Sequence, residues 1–482
     1  MTGTKRKELM MQKKSKVCVV LALALFSLAQ AQNDSGNGGK IVLPDGLSLR
    51  PHAYTYMEAG QIESGHLNAL EVSKFNSSQY GIDHVWTEDA DLEFGLAATY
   101  RERLKMDISL GAKEAFSYPN YFDNSHTDTK YPDNYIYLDQ AYAQYHFGSE
   151  DSPWLMAELG YFKFKYNPDV RNLGEYMFRT GTYPIYFDMT FDAPFQRLLG
   201  FHVQNNFFNS LKLDWLLVSA TTFPTMNWSF AALADYNIAA LNFVHIGAGV
   251  DFADLIDVYT NHAFPTDGGD PTTPKAGSFQ YVTANGDTGW YTFQGTKIMA
   301  RISIDPKAFF KCKWLAENDL KLYGEADLIG VQNYPDSGLA VGGGKLLVAP
   351  SYDNWRERVP ISLGINVPTF KTLDVLNAEV EWFGAQYYND ATDVFVNINS
   401  VPLPNGTLGN EWGLPNAPNK SQFKWSVYAK KSFFDGHFAI TGQIANDHLR
   451  LTNSATDQAQ LWNELLVTKN DWWWVLKTSW MF

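Results

Sequence analysis

Cysteine is almost missing from this 482-residue chain, which holds only Cys18 and Cys312. A disulfide framework is therefore excluded, and so is a metal site assembled from several thiolates. Long apolar runs are scarce too. Beyond the N-terminal region, the nearest approach to a helical membrane span is the uncharged stretch 215–234, which Pro224, Asn227 and several Ser and Thr interrupt. A helical crossing needs about 20 continuous apolar residues, so none is expected. Positive charge is in deficit, with 38 Lys and Arg against 52 Asp and Glu and a net charge of −14, which argues against nucleic acid as a partner. Catalytic signatures are lacking: there is no G-x-S-x-G elbow, P-loop or H-E-x-x-H, and the 10 His are scattered. The Asp267 and Asp270 pair lacks the spacing of a calcium-binding loop, so neither a metal nor a cofactor is expected.

What the chain has in abundance is aromatic residues: 15 Trp, 26 Tyr and 32 Phe, beside only 19% charged residues and a mean hydropathy of −0.26. Many aromatics at moderate hydrophobicity suit strands with one lipid face and one wet face, and do not suit a helical membrane protein. The start of the chain reads differently. Lys5, Arg6, Lys7, Lys13, Lys14 and Lys16 lead into an apolar run over 17–28, followed by the small-x-small sequence Ala29-Gln30-Ala31. That is the form of a cleaved export signal over 1–31, with an apolar run too short to span a membrane. Cys18 would leave with it, so Cys312 would stand alone. Removing those six basic residues and Glu8 from a chain of net −14 leaves about −19. Residues 32–47 then form a short N-terminal extension, and 48–482 the body of the protein.

Within that body one theme repeats: an alternation of apolar and polar residues, then a tight turn or a long polar loop. Val359, Ile361, Leu363, Ile365 and Val367 alternate with Arg356, Arg358, Ser362 and Asn366. Phe423, Trp425, Val427 and Ala429 oppose Lys424, Ser426, Tyr428 and Lys430. The pattern predicts strands at 48–58, 88–100, 104–117, 134–147, 154–166, 197–208, 211–221 and 227–235, then at 240–253, 289–304, 320–332, 356–367, 373–387, 422–433, 437–450 and 471–482. Short turns and long loops alternate between them, with two exceptions: the connection 222–226 is short where a loop is due, and 305–319 is long where a turn is due. Strands between 211 and 253 are therefore the least firmly placed. Because such strands cannot leave an edge in lipid, the expected fold is all-β: a closed antiparallel transmembrane β-barrel of about 16 strands, with about 14 to 18 compatible.

The last strand is the most specific signal. Trp472, Trp474, Leu476, Trp480 and the final Phe482 share one parity, opposite Trp473, Val475 and Lys477. Here the sequence resembles the closing strand of Gram-negative outer-membrane barrels, and the whole pattern resembles porins. The resemblance implies that Trp480 and Phe482 form the signal read by the barrel-assembly machinery. It also implies a channel embedded in outer-membrane lipid that passes small polar solutes by diffusion, assembled as a homotrimer and not an enzyme. Two alternatives stay open: an adhesion or structural barrel whose outer loops bind polysaccharide, and a barrel-embedded hydrolase.

Parity also predicts the inner face. Glu93, Lys105, Asp107, Lys113, Lys297 and Lys477 fall on it, and the chosen pore-lining set is Arg301, Glu325, Asp327, Arg356, Arg358, Glu379, Glu381, Lys424 and Lys430. Basic and acidic strands adjoin in this set, which would either favour polar solutes or brace the wall. Loops 167–196 and 254–288 are candidates to fold inward and narrow the passage.

Overall fold

The computed structural model describes the chain from residue 41 to 482, except 44–45, 66–82, 118–132, 150–152, 179–194, 208–209, 220–226, 239–240, 242, 257–277, 283–287, 293–294, 310–312, 332–337, 343–344, 350–358, 384–422 and 447–468. The export signal expected over 1–31 lies outside the described residues, as do Arg356 and Arg358.

The first ten strands are β1 (Ile41–Val42), β2 (Leu47–Ser64), β3 (Val85–Tyr100), β4 (Leu104–Ser117), β5 (Asp133–Gly148), β6 (Pro153–Phe164), β7 (Gln196–Phe207), β8 (Leu211–Ser219), β9 (Trp228–Asn237) and β10 (Val244–Ile256). They are followed by β11 (Ser278–Val282), β12 (Thr288–Thr292), β13 (Gly295–Ile304), β14 (Leu322–Ile329), β15 (Gly338–Gly342), β16 (Lys345–Ala349), β17 (Ile361–Asn366), β18 (Val375–Trp382), β19 (Phe423–Phe433), β20 (Phe438–Ala445) and β21 (Trp472–Met481). Sixteen of them, β2–β10, β13, β14 and β17–β21, form one antiparallel wall in which each strand pairs with the next in the chain. The two-residue β1 adds to the start of β2.

The wall closes. β21 pairs with β2 from Tyr54↔Met481 to Ser64↔Trp472, and beyond that register Ala53 and Phe482 exchange backbone hydrogen bonds of 3.2 and 2.9 Å. Without this seam both edge strands would present unpaired N–H and C=O groups to hydrocarbon, at several kcal/mol for each group. Tight connections such as 101–103 and 434–437 gather at one end of the wall, called here the turn end; the long connections gather at the loop end.

Sidedness follows the period of two. On β17, Ile361, Leu363 and Ile365 point out and are exposed, whereas Ser362 and Asn366 point in and are buried. The expected strands are all present, with one correction. The segment predicted as a single strand over 289–304 is two: only β13 belongs to the wall, and β12 joins a separate four-stranded sheet of order β12-β11-β15-β16. Residues 288–292 are as strand-prone as those after Gly295, so alternation alone merged them.

Of the two irregular connections, 222–226 lies outside the described residues, and the irregular pattern before it and the connection 305–321 find their reason. β8 and β9 are buried on the inside by apolar residues: Leu216, Val218, Ala231 and Leu233 join Leu198, Ala253 and Met299 in a dry inner patch. Trp215 and Leu217 point the other way, so the chain reads as a continuous apolar run over 215–218 and the alternation fades. The described residues of the connection 305–321 cap the turn end. Its 3-10 turn Pro306–Phe309 is held by Lys307, which donates to the Asp319 carbonyl at 2.8 Å, while the Asp319 carboxylate accepts the Ala316 amide at 2.8 Å and the Thr369 amide at 3.3 Å.

Leu363→Arg places a guanidinium on the lipid face and is expected to destabilise the barrel by about 2–4 kcal/mol in urea unfolding from lipid vesicles. A change below about 0.5 kcal/mol would mean that this face meets water.

Candidate functional site

The chain leaving β6 does not rise away from the barrel. Residues 165–178 enter the interior and lie against the opposite wall, with Leu173, Met177 and Phe178 fully buried. Met177 and Phe178 complete the dry patch described above, each contributing about 1.5–3 kcal/mol by burial. The polar half of the segment meets carboxylates on β14 and β18. Glu379 accepts three successive backbone amides, from Arg171 (2.6 Å), Asn172 (2.8 Å) and Leu173 (2.9 Å), together with the Tyr323 hydroxyl at 2.5 Å. Glu325 accepts the Tyr166 hydroxyl at 2.6 Å, the Asn167 side-chain amide at 2.5 Å and the Tyr176 backbone amide at 3.1 Å. Glu381 accepts the Tyr176 hydroxyl at 2.5 Å.

Such bonds to ionised groups are worth about 1.5–3 kcal/mol each, and they satisfy amides that a loop inside a barrel would otherwise leave orphaned. Asp169 pairs with Lys321 at 2.5 Å beside the turn end of β14, while Lys297 near the loop end of β13 donates to the Met177 carbonyl at 3.3 Å. The segment thus runs along the wall from one end of the barrel towards the other.

A recurring device lets inward side chains reach across strands. The Tyr323 ring lies over Gly364 on β17 to reach Glu379 on β18, in the register Tyr323↔Gly364↔Glu379. Arg301 crosses Gly247 to pair with Asp235, and Tyr137 crosses Gly111 to donate to Asp91 at 2.5 Å. A Cβ on any of these three glycines would overlap the crossing side chain.

The rest of the interior holds a cavity of about 830 Å³ along β2–β7 and β21. Its lining runs from Lys163, Phe195 and Arg197 near the loop end to Arg50, His437 and Phe482 near the turn end. Lys163 pairs with Asp139 at 2.7 Å and Glu93 at 3.3 Å, and Arg197 pairs with Asp139 at 3.0 Å; the Phe195 ring lies 4.7 Å from the Lys163 ammonium. His52 meets Asp107 at 2.8 Å, Lys113 meets Asp89 at 2.8 Å, and Lys477 meets Glu58 at 3.6 Å. Charge-bearing groups of both signs therefore line the cavity.

Of the residues singled out from the sequence, Arg301, Glu325, Asp327, Glu379, Glu381 and Lys424 all sit on the inner face and are buried. Glu325, Glu379 and Glu381 hold the segment; Asp327 lies within the field of Lys297, and Glu381 is opposite Lys424 in register. Lys430 is half-buried, opposite Val375. Trp480 faces out and stacks on Phe438 with ring centroids 4.3 Å apart, whereas Phe482 reaches the turn end of the cavity. Pattern reading missed Asp139, Lys163 and Arg197; Lys163 shares the parity of the exposed Leu159 and Arg197 that of the exposed Leu199 and Phe201, so alternation alone assigns both to the outer face. It also missed the buried His202, which bridges Glu158 at 3.0 Å and Asp214 at 2.9 Å.

Glu379→Ala removes the acceptor of three amides and is expected to cost at least about 3 kcal/mol of local stability, read as faster hydrogen exchange at residues 171–173. Unchanged exchange there would show that the carboxylate does not hold the segment.

No family model and no curated protein matches the sequence. Among solved structures, three engineered variants of the porin of Rhodopseudomonas blastica are similar, each at 8% identity, covering 90% of this chain and 100% of theirs, with TM-scores of 0.40, 0.40 and 0.39. On its own strand order, the closure of β21 on β2 and the sidedness of the wall, the chain is a closed, sixteen-stranded antiparallel transmembrane β-barrel.

Proposed function

We propose that this barrel is an outer-membrane channel of a Gram-negative bacterium, passing small hydrophilic solutes by diffusion and carrying out no catalysis. One observation carries the reading: the lining of the 830 Å³ cavity includes charged and hydroxylated side chains from loop end to turn end, beside a segment that fills the opposite side. A wall of this strand number is wide enough for an aqueous channel, and segment 165–178 makes that channel narrow and off-centre.

In this reading the predicted pore-lining charges act at one remove. Glu325, Glu379 and Glu381 set the width of the passage by holding the segment, and Asp327, Arg301 and Lys424 complete the charge balance beneath it; Arg356, Arg358 and Lys430 would face the remaining lumen. Trp480 and Phe482 serve as the signal for the barrel-assembly machinery, the apolar outer face contacts outer-membrane lipid, and the working unit is a homotrimer.

The purified protein in planar bilayers is expected to give stepwise currents. Deleting residues 167–176 should raise the single-channel conductance by roughly twofold or more, because conductance follows the open cross-section. A folded, heat-modifiable sample that carries no current would refute the channel; unchanged conductance after the deletion would refute the narrowing role.

A further inference from the structure

Although the chain is acidic overall, its cavity exposes its cations more than its acids. In most of the ion pairs there, the carboxylate is recessed against the wall and the cation stands in front. The Lys163 side chain is 25% exposed, over Asp139 at 2% and Glu93 at 12%. Lys477 is 22% exposed over Glu58 at 8%. Outside the cavity, on the inner face of β8, Lys212 is likewise 42% exposed beside Asp214 at 6%. Two pairs within the cavity depart from this order, Lys113 with Asp89, both buried, and Arg197 with Glu93, both 12% exposed, and Arg301 with Asp235 reverses it beneath the dry side of the barrel.

The cause is side-chain length. A short Asp, fixed by hydrogen bonds such as Ser109 to Asp139 at 2.8 Å and Gln140 to Asp107 at 2.8 Å, lies flat on the sheet, while a lysine or arginine stem reaches over it and sets its charge in water. Two further cations have no acidic partner among the described residues: Arg50, which lines the cavity near the turn end, and Lys105, on the inward parity of β4 two residues from Asp107. A solute in the passage therefore meets ammonium and guanidinium groups before it meets carboxylates. Low-dielectric walls concentrate that field, and at about 0.1 M salt the screening length of about 10 Å is comparable to the distances involved.

We propose that the passage prefers small anions to small cations, the reverse of what the net charge of the chain suggests. This rests on the channel reading above and specifies its solute class; small carboxylates and inorganic anions are the chemistry it fits.

The test is the reversal potential of the full-length protein in a planar bilayer under a KCl gradient. The expected chloride-to-potassium permeability ratio is about 2 or more. The double variant Arg50→Glu, Lys105→Glu, with folding verified by heat-modifiable migration, should lower the ratio by at least about twofold. A ratio at or below one in the unaltered protein, with conductance present, overturns the anion preference and leaves the channel standing. No conductance at all removes the channel reading instead. A folded double variant that keeps the original ratio removes the assignment to Arg50 and Lys105, and if the double variant does not fold, the unaltered protein alone decides the preference.

Discussion

Hydrocarbon offers no partner to a peptide N–H or C=O, and the rest of the molecule depends on that constraint. A sheet in lipid must have no edge, so the first long strand and the last must find each other across nearly the whole chain. The seam between β2 and β21 meets that demand up to the backbone bonds between Ala53 and Phe482. Once the sheet is closed, each residue is committed to one of two solvents. The period of two along each strand then becomes a physical necessity, which is why Leu363 and Ser362, adjacent in sequence, lie on opposite sides of the wall.

Closure creates an interior that has to be either wet or filled, and this barrel does both. Along β7–β10 and β13 the inner face carries an apolar patch, and Phe162, Phe164, Met177 and Phe178 fill the space against it. On β14 and β18 the wall supplies carboxylates, and the same segment supplies the amides and hydroxyls that satisfy them. Neither half would be stable alone. Buried Glu379 without its three amides would be an uncompensated charge, and the backbone at 171–173 without Glu379 would be a set of orphaned donors. The open cavity is what the segment leaves free along β2–β7, and acids recessed under longer cations line it.

Much of the wall was legible in the sequence, because the contrast between lipid and water is written into alternate residues. Strands such as 104–117 are recoverable to their ends. Legibility faded where the physical contrast itself fades, at 215–218, where both faces are dry, and at 288–304, where a strand outside the wall runs into one within it. For the interior, parity placed Glu325, Glu379 and Glu381 correctly on the inner face but was silent about their partners. The donors to Glu379 are backbone amides more than 200 residues earlier in the chain, and a peptide N–H has no residue-specific signature. Tyr166 and Tyr176 are likewise unremarkable in sequence, and only the fold brings their hydroxyls to Glu325 and Glu381. The crossing glycines were hidden for a related reason: Gly247 and Gly364 matter through the side chains of neighbouring strands, not through their own.

The account stands or falls on closure, and cross-linking the seam addresses it most directly. Met57 and Thr478 are direct partners across β2 and β21. In a chain with Cys312→Ser, the substitutions Met57→Cys and Thr478→Cys should be joined by a short bifunctional thiol reagent within one folded chain in detergent or lipid, and a control with Thr478→Cys paired to a cysteine at Leu363, far around the wall, should not be joined. Failure of the first pair to link in a folded sample, or equal linking of both, would contradict a closed barrel.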